Sequence, residues 1–387
     1  MSTSGATEFH GRYRTQDRRP RHSDLPGQEG QRRKPPGRGR RRLIAAGCVA
    51  AAVLAAAAVA VVVIADRPAR GPSPVATLTD PGSSISGVSS VAFSPGGSTL
   101  ATGSGDGSIY LWDVPARREV ATLADPGSQG VNSVAFSADG RLLAAGDADN
   151  RAYLWNIAPP RPVATLADSS LVGNDIEGVN SVAFSPDGGT LAVGDANGIT
   201  YLWNVATSQL SSSLTNPDSA GIQGIYSLAF RPGSEMLAAA DINGSTYLSD
   251  AATGHAGTVL ADPGASSVYA VAFSPQGQTL ATGDGSGHIY LWDAATGRRI
   301  AALTAPGGKP VASLAFSRDG HWLAAGDHDG SVYLWSLASP LAAPSALPGT
   351  TLNDPHSKAV NSVAFSPSGD ILAAGDGNGS TYLWPVG

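Results

Sequence analysis

The pattern of apolar and polar residues repeats seven times along the chain after Pro74. Each copy holds a short apolar run that ends in phenylalanine, at Phe93, Phe136, Phe184, Phe230, Phe273, Phe316 and Phe365. The position 19 residues later is Ser249 in the fourth copy and tryptophan in the others, at Trp112, Trp155, Trp203, Trp292, Trp335 and Trp384. This constant spacing indicates one structural unit per repeat.

Each repeat contains four short runs of strand-forming residues. In the second copy they are 120–123, 131–136, 142–145 and 152–155, and turn-forming residues at 137–140 and 147–150 separate the last three. Four strands in about 43 residues are typical of one blade of a β-propeller. The sequence therefore predicts an all-β fold, a seven-bladed β-propeller over residues 75–387.

The two ends of the repeat region complement each other. Residues 75–78 match the outermost strand of a blade but have no blade before them, whereas the last copy stops just after Trp384 and lacks an outermost strand. We expect the two ends to form one blade between them, a Velcro-type closure. Such a ring has no free sheet edge between its first and last blades.

The repeats resemble those of the WD-repeat β-propellers, through segments such as Val182–Gly188 and Ser108–Asp113. The resemblance covers residues 75–387 and implies a propeller used for protein interaction. One feature departs from the family pattern. Its Gly-His pair is replaced by Asp-Pro or a related pair, at 80–81, 125–126, 168–169, 216–217, 262–263, 305–306 and 354–355.

An aspartate near the end of the third apolar run recurs in six copies, at Asp147, Asp195, Asp241, Asp284, Asp327 and Asp376. Because the family's histidine is missing, its His–Asp hydrogen-bond network cannot form. We expect these aspartates to accept hydrogen bonds from turn amides and from Trp or Tyr donors instead. They and the repeated tryptophans are interpreted as structural residues of the blades.

An apolar segment precedes the repeats. Residues 43–65 contain no charged or strongly polar side chain, and a helix of this length would span ~34 Å, enough to cross a bilayer. Four arginines lie just before it, and the positive-inside rule then places residues 1–42 in the cytoplasm and the propeller outside. The alternatives are a cleaved signal peptide, a twin-arginine signal and a lipoprotein cysteine at Cys48.

The remaining N-terminal segments have biased compositions. Residues 1–42 are rich in Arg, Pro, Gly and Gln, which predicts a disordered basic cytoplasmic tail, and residues 66–74 form a Pro-rich linker. The whole chain carries a formal charge of -6, with basic residues concentrated in the tail. This balance argues against nucleic-acid binding by the propeller. Enrichment in Ala, Gly, Pro and Arg fits a bacterial origin.

Motifs for catalysis or ligand binding are missing from the sequence. It has no nucleophile elbow, phosphate-binding loop or His-Glu-x-x-His zinc pair. The Asp-x-Asp segments suit hairpin turns better than calcium loops, and Asn243 and Asn378, which fit the glycosylation pattern, lie in the same turns. We therefore expect no metal and no cofactor.

One position varies while its neighbours repeat. Four residues before the phenylalanine, where the innermost strand begins, stand Ser89, Asn132, Asn180, Tyr226, Tyr269, Ala312 and Asn361. We predict that Tyr226 and Tyr269, with Asn132, Asn180 and Asn361, form a partner-binding rim, since tyrosine is enriched in binding hot spots. The alternative is that both tyrosines only pack between blades.

These features predict a single-pass membrane protein whose monomeric propeller is a non-catalytic scaffold for an unknown protein partner. The rival hypothesis is an extracytoplasmic propeller enzyme or small-ligand sensor with its site at the central channel. A further possibility is that the tail is the active part and is recruited to a cytoplasmic partner.

Overall fold

The computed structural model describes residues 72–82, 87–124, 128–167, 178–215, 224–264, 267–337, 345, 347–353 and 356–386. Within these ranges the chain forms seven four-stranded antiparallel sheets, which are the seven blades. The all-β, seven-bladed propeller predicted from the repeats is thereby confirmed.

Blades 1 to 3 follow the chain without crossovers. The strands of blade 1 are β2 (Val88–Phe93), β3 (Thr99–Ser104), β4 (Ser108–Asp113) and β5 (Arg118–Ala124). Those of blade 2 are β6 (Val131–Phe136), β7 (Leu142–Asp147), β8 (Ala152–Ile157) and β9 (Pro160–Leu166). Those of blade 3 are β10 (Val179–Phe184), β11 (Thr190–Asp195), β12 (Ile199–Asn204) and β13 (Gln209–Thr215).

Blades 4 to 6 repeat the same arrangement. The strands of blade 4 are β14 (Ile225–Phe230), β15 (Met236–Asp241), β16 (Ser245–Asp250) and β17 (Ala256–Ala261). Those of blade 5 are β18 (Val268–Phe273), β19 (Thr279–Asp284), β20 (His288–Asp293) and β21 (Arg299–Thr304). Those of blade 6 are β22 (Val311–Phe316), β23 (Trp322–Asp327), β24 (Ser331–Ser336) and β25 (Thr350–Asn353).

Blade 7 is built from both ends of the repeat region. It contains β26 (Val360–Phe365), β27 (Ile371–Asp376) and β28 (Ser380–Pro385), and its fourth strand is β1 (Ala76–Thr79). The register of β1 on β28 pairs Ala76 with Leu383 and Thr79 with Ser380. The predicted Velcro-type closure is present, and it joins the first strand of the propeller to the last.

The blades stack face to face, so the second and third strands of each are the most deeply buried. Close stacking selects small residues on the second strand. At Gly146, for example, an added Cβ would lie 2.3 Å from Cγ1 of Val179 in the next blade. A larger side chain there would push the two sheets apart, because protein interiors are close-packed.

A ring of serine hydroxyls links neighbouring innermost strands. In each case a serine Oγ accepts a hydrogen bond of 3.0–3.2 Å from a backbone N–H of the following blade. The serines are Ser90, Ser133, Ser181, Ser227, Ser313 and Ser362. Blade 5 has Ala270 at the equivalent position. These bonds satisfy amides that the sheets themselves leave open.

The propeller has two distinct ends. At one end the first strand of a blade begins and the second ends, as the pairing of Val88 with Ser104 shows. We call this end the rim face; first strands begin there, fourth strands end there, and the turns between second and third strands lie there. The opposite face carries the turns between first and second strands and between third and fourth strands.

The N-terminal predictions fall on residues that are not described. The tail (1–42), the apolar segment (43–65) and most of the linker (66–74) lie outside the described ranges. In the part of the chain that is described, no helix is both long and apolar enough to cross a membrane. The membrane anchor therefore stays a prediction from the sequence.

Candidate functional site

The two predicted rim tyrosines contact each other across the boundary between blades 4 and 5. Their ring centroids lie 4.9 Å apart with an interplanar angle of 80°, an edge-to-face arrangement. Each is the second residue of its innermost strand, so both lie near the rim face. Tyr226 keeps 38% of its surface exposed, and Tyr269 is half-buried. Edge-to-face contact orients aromatic rings beyond what burial alone would do.

The surroundings of the pair are backbone-rich and tight. A Cβ on Gly285 would lie 3.2 Å from Cε2 of Tyr269, and one on Gly224 would lie 3.6 Å from Cε2 of Tyr226. The glycines therefore leave room for the rings to lie close to the turns of the rim face. Burial, followed by the proximity of Tyr269, raises the pKa of Tyr226, so that its hydroxyl is neutral at physiological pH.

Two of the three predicted rim asparagines, Asn132 and Asn361, take part in contacts between blades. The side-chain amide of Asn132 donates to the carbonyl of Val179 at 3.1 Å, and that of Asn361 donates to the carbonyl of Val88 at 2.9 Å. Each acceptor is the first residue of the next blade's innermost strand. Asn180 occupies the same strand position and is half-buried. At this position asparagine thus joins blades, whereas tyrosine presents an aromatic surface.

The six recurring aspartates are buried and accept hydrogen bonds from turn amides. Oδ1 of Asp284, for example, accepts from the amides of Ser286 and His288, both at 2.8 Å. Asp147, Asp195 and Asp327 accept the corresponding two amides, and Asp241 and Asp376 accept the amide two residues further on. The expectation that turn amides bind these carboxylates is confirmed, and it explains why charged groups at the second-strand ends can be buried.

The indole N–H groups of two tryptophans donate to threonine hydroxyls, and not directly to an aspartate as expected. In blade 1 the indole Nε1 of Trp112 donates to Oγ1 of Thr102 at 3.2 Å, and that hydroxyl donates to Oδ1 of Asp80 at 3.0 Å. Blade 1 has Ser104 where the other blades carry the recurring aspartate, and its tryptophan is linked to a different carboxylate. The acceptor of the chain belongs to the Asp-Pro pair that stands where the family has Gly-His.

Blade 5 contains the same chain of hydrogen bonds from tryptophan through threonine to aspartate, which we call the relay. The indole of Trp292 donates to Oγ1 of Thr282 at 3.0 Å, and Thr282 donates to the carboxylate of Asp262 at 2.9 Å. Sequence reasoning missed this relay. The available signal was that threonine, ten residues before tryptophan, accompanies an Asp-Pro pair in both copies.

Other blades lack the hydroxyl. Residues ten before Trp155, Trp335 and Trp384 are alanines, and among the described residues the indole nitrogens of these three tryptophans have no hydrogen-bond partner. These blades are held by apolar packing around the indole rings. The relay is therefore a feature of particular blades and is not required for a blade to form.

Burial raises the pKa values of the two aspartates in the relay. It raises the pKa of Asp80 to about 7 and that of Asp262 to about 7, and in each case the hydrogen bond from threonine opposes the shift. In blade 6 burial, with the nearby Asp329, raises the pKa of Asp327 to about 7. Part of the acidic charge of the rim face is thus titratable near neutral pH.

Two further features bear on the predicted chemistry. Among the described residues, no group of three or more His, Cys, Asp and Glu side chains is arranged to hold a metal ion. The amide nitrogens of Asn243 and Asn378 donate to the hydroxyls of Tyr247 and Tyr382, at 2.7 and 2.8 Å. These contacts give both asparagines a structural role in their turns.

The opposite face contains a groove. It has a volume of about 400 Å³ and lies between blades 6 and 7, where Arg318, Asp319, Trp322 and Ser368 line it. Arg318 crosses the blade boundary and donates to the carbonyl of Pro367 at 3.2 Å. This groove is remote from the tyrosine pair, which lies near the other face.

Comparison with known proteins agrees with the geometry. Among curated proteins, none matches the chain. The family model described as "WD domain, G-beta repeat" matches residues 72–113, 117–156, 168–204, 254–293, 297–336 and 348–385. These six segments span more than half of the sequence and leave unmatched most of blade 4, where Ser249 replaces the tryptophan. The chain therefore belongs to the WD-repeat family of β-propellers.

Proposed function

We propose that this protein is a membrane-anchored, non-catalytic scaffold that docks a protein partner on the rim face, at Tyr226 and Tyr269. The observation that carries the proposal is the edge-to-face contact of these rings across the boundary of blades 4 and 5, with Tyr226 exposed. Interaction scaffolding is a common use of WD-repeat propellers. A rigid, partly exposed aromatic pair is the kind of surface that forms a binding hot spot.

The rigidity of the pair supports this interpretation. Both tyrosines lie on innermost strands, and Ser227 links these strands by accepting the amide of Val271 at 3.2 Å. A partner would therefore meet side chains that are already ordered, which lowers the entropy lost on binding. The two rings contact each other across the blade boundary, and Tyr226 is also exposed. The pair therefore both packs between blades and offers a surface to a partner.

The membrane anchor in the proposal rests on the sequence. The uncharged run 43–65 and the arginines before it favour a single span with the propeller outside the cytoplasm. Protease treatment of intact cells, with one tag at each terminus, tests this part. We expect digestion of the C-terminal tag and protection of the N-terminal tag; the reverse pattern would contradict the proposed orientation.

The docking role is tested by quantitative co-purification of the full-length protein after cross-linking in its native membranes. We expect Y226A/Y269A to lose at least one protein that co-purifies with the wild type. The matched control is S89A/A312S, which changes the same strand position in blades 1 and 6. If both variants retain the same proteins as the wild type, docking at the tyrosine pair is wrong.

A further inference from the structure

The charged residues of the propeller are distributed unequally between its two faces. Among the described residues, the rim face holds 11 acidic side chains, eight of them buried, and 3 basic side chains, a formal charge of -8. The opposite face carries 9 acidic and 8 basic side chains, a formal charge of -1. A one-sided field of this kind attracts ligands of the other sign and orients them before contact.

The distribution follows from the two kinds of turn. On the rim face, each second strand from blade 2 onward ends in aspartate, and the following turn adds further acidic residues such as Asp149 and Asp329. On the opposite face arginines lie among the aspartates, as at Arg141 beside Asp139 and Arg298 near Asp293. The basic residues of the rim face are Arg151, Lys309 and Lys358, and Arg151 is paired with Asp149 at 2.7 Å.

The tyrosine pair lies within this acidic face. The residue before Tyr226 pairs with Asp241, and the residue before Tyr269 pairs with Asp284, so each ring is close in register to a buried carboxylate. Aromatic faces attract guanidinium groups, and the propeller itself contains such a contact, Arg299 at 5.6 Å from the ring centre of Tyr290. An exposed aromatic surface therefore lies close to buried carboxylates.

We infer that the rim face around Tyr226 and Tyr269 recognises an arginine-rich polypeptide segment, whose guanidinium groups stack on the tyrosines while the face's carboxylates attract the chain. This inference rests on the proposed function and specifies the chemistry of the partner. A neutral or acidic segment would gain nothing from the charge asymmetry. An arginine segment gains both from long-range attraction and from contact with the rings.

The chain's own repeats supply substitutions that change charge without changing the turns. N243D/S286D adds two carboxylates on the rim face of blades 4 and 5, at a turn position where blades 1, 2 and 6 already carry aspartate. In blade 1 that aspartate, Asp106, accepts from the hydroxyl of Tyr110 at 2.6 Å. A carboxylate at position 243 would accept from the hydroxyl of Tyr247, which Asn243 already contacts. The turn should therefore keep its hydrogen bonds.

A matched control exists on the opposite face. N156D/N204D adds the same charge at the position where blades 1, 4 and 5 carry Asp113, Asp250 and Asp293. There Asn204 already accepts the amide of Thr207, as Asp293 accepts that of Thr296. The two variants have equal net charge and differ only in the face that carries it.

The test is fluorescence anisotropy of the full-length protein in nonionic detergent at pH 8, where Asp80, Asp262 and Asp327 are mostly ionised. The probes are short capped peptides of alternating Arg and Gly and of alternating Glu and Gly. We expect the Arg peptide alone to bind, about tenfold more weakly to Y226A/Y269A and with nearly full affinity to Y226F/Y269F. N243D/S286D should bind it about threefold more tightly, and N156D/N204D should match the wild type.

Three results would overturn the inference: no binding of the Arg peptide, equal binding to Y226A/Y269A, or equal gains from the two charge variants. The charge-matched N156D/N204D separates a gain at the rim face from a gain in net charge, and the melting temperature checks the folding of all the variants. If the Arg peptide fails but co-purification still depends on the tyrosines, docking stands and only the basic character of the partner is wrong.

Discussion

Blades 4 and 5 each contribute one tyrosine to the rim, yet they hold their own strands together differently. Blade 5 contains the relay from Trp292 through Thr282 to Asp262. Blade 4 has Ser249 in place of the tryptophan and Ala239 in place of the threonine. Both blades nevertheless form four paired strands with the same register.

The difference shows which interactions are general. Blade 4 packs its second strand, through Ala238 and Ala240, against Val268 and Val271 of blade 5 in one apolar cluster. This stacking recurs between neighbouring blades, whereas the relay occurs in blades 1 and 5. Apolar stacking therefore specifies the propeller, and the relay adds stability and pH sensitivity to the blades that contain it.

The largest expected effect is a dependence of stability on pH that arises in the relay. The folded pKa of Asp80 and of Asp262 is about 7, whereas an unfolded aspartate titrates near 3.8. Between these values only the folded chain holds the proton, so stability falls as pH rises from about 4 to about 7. The slope is up to ~1.4 kcal/mol per pH unit for each group. We expect a higher melting temperature at pH 5 than at pH 8.

The control is D80N/D262N, in which the amide oxygen can still accept from threonine but the side chain does not titrate. Its melting temperature should vary less between pH 5 and pH 8. Exposed carboxylates such as Asp139 and Asp187, whose pKa values are lowered by serine hydroxyls, act in the opposite direction only below pH 4. A melting temperature that rises from pH 5 to pH 8 would contradict the buried relay.

The next largest effect should follow removal of the hydroxyl at the centre of the relay. T282V leaves the Trp292 N–H without its acceptor and the Asp262 carboxylate without its donor, both buried. We expect a loss of about 2–4 kcal/mol at pH 8, seen as a melting temperature lower by ~5–10 °C. The control A239V gives blade 4 the valine that blade 3 has at the same position, Val193, and should change the melting temperature little. Similar losses in T282V and A239V would argue against the relay.

A smaller loss is expected from the serine ring on the blade 4 side. S227A removes the acceptor of the Val271 amide, which the sheet does not otherwise pair at this point. The unsatisfied amide should destabilise the propeller by about 1–2 kcal/mol, measured as a lower denaturant midpoint. An unchanged midpoint would mean that the hydroxyl contributes nothing to the contact between blades 4 and 5.

The smallest expected effect is a gain on the blade 5 side. A270S restores the serine that the other six blades carry, and its hydroxyl should accept the amide of Leu314, as Ser313 accepts that of Val363. We expect a stabilisation of about 0.5–1 kcal/mol. If the midpoint falls, the site around Ala270, which is 2% exposed, does not admit a hydroxyl.

The fold was predictable because its determinants repeat. Seven phenylalanines with a constant 19-residue offset, and an unmatched run at 75–78, were sufficient to predict seven blades and their closure. Burial of the recurring aspartates against turn amides also follows from local turn chemistry. These aspartate turns lie within one hairpin, so sequence spacing determines them.

The relay and the rim were less predictable because they depend on contacts between distant segments. Asp80 follows the outermost strand of blade 7, yet its carboxylate accepts from Thr102 on the second strand of blade 1. Asn132 and Tyr226 share one strand position, but the asparagine bonds to the next blade while the tyrosine contacts another tyrosine. Repeat spacing determined their strand position but not which neighbours their side chains would contact.

The central claim is that blades 4 and 5, and not the ring as a whole, carry the docking surface. A photo-crosslinking amino acid placed singly at Tyr226, Tyr269, Ser89 and Ala312 of the full-length protein tests it most directly, because these are the same strand position in four blades. We predict the same discrete adduct from positions 226 and 269, and no adduct at 89 and 312. Equal adducts at all four positions, or adducts only at 89 and 312, would contradict the account.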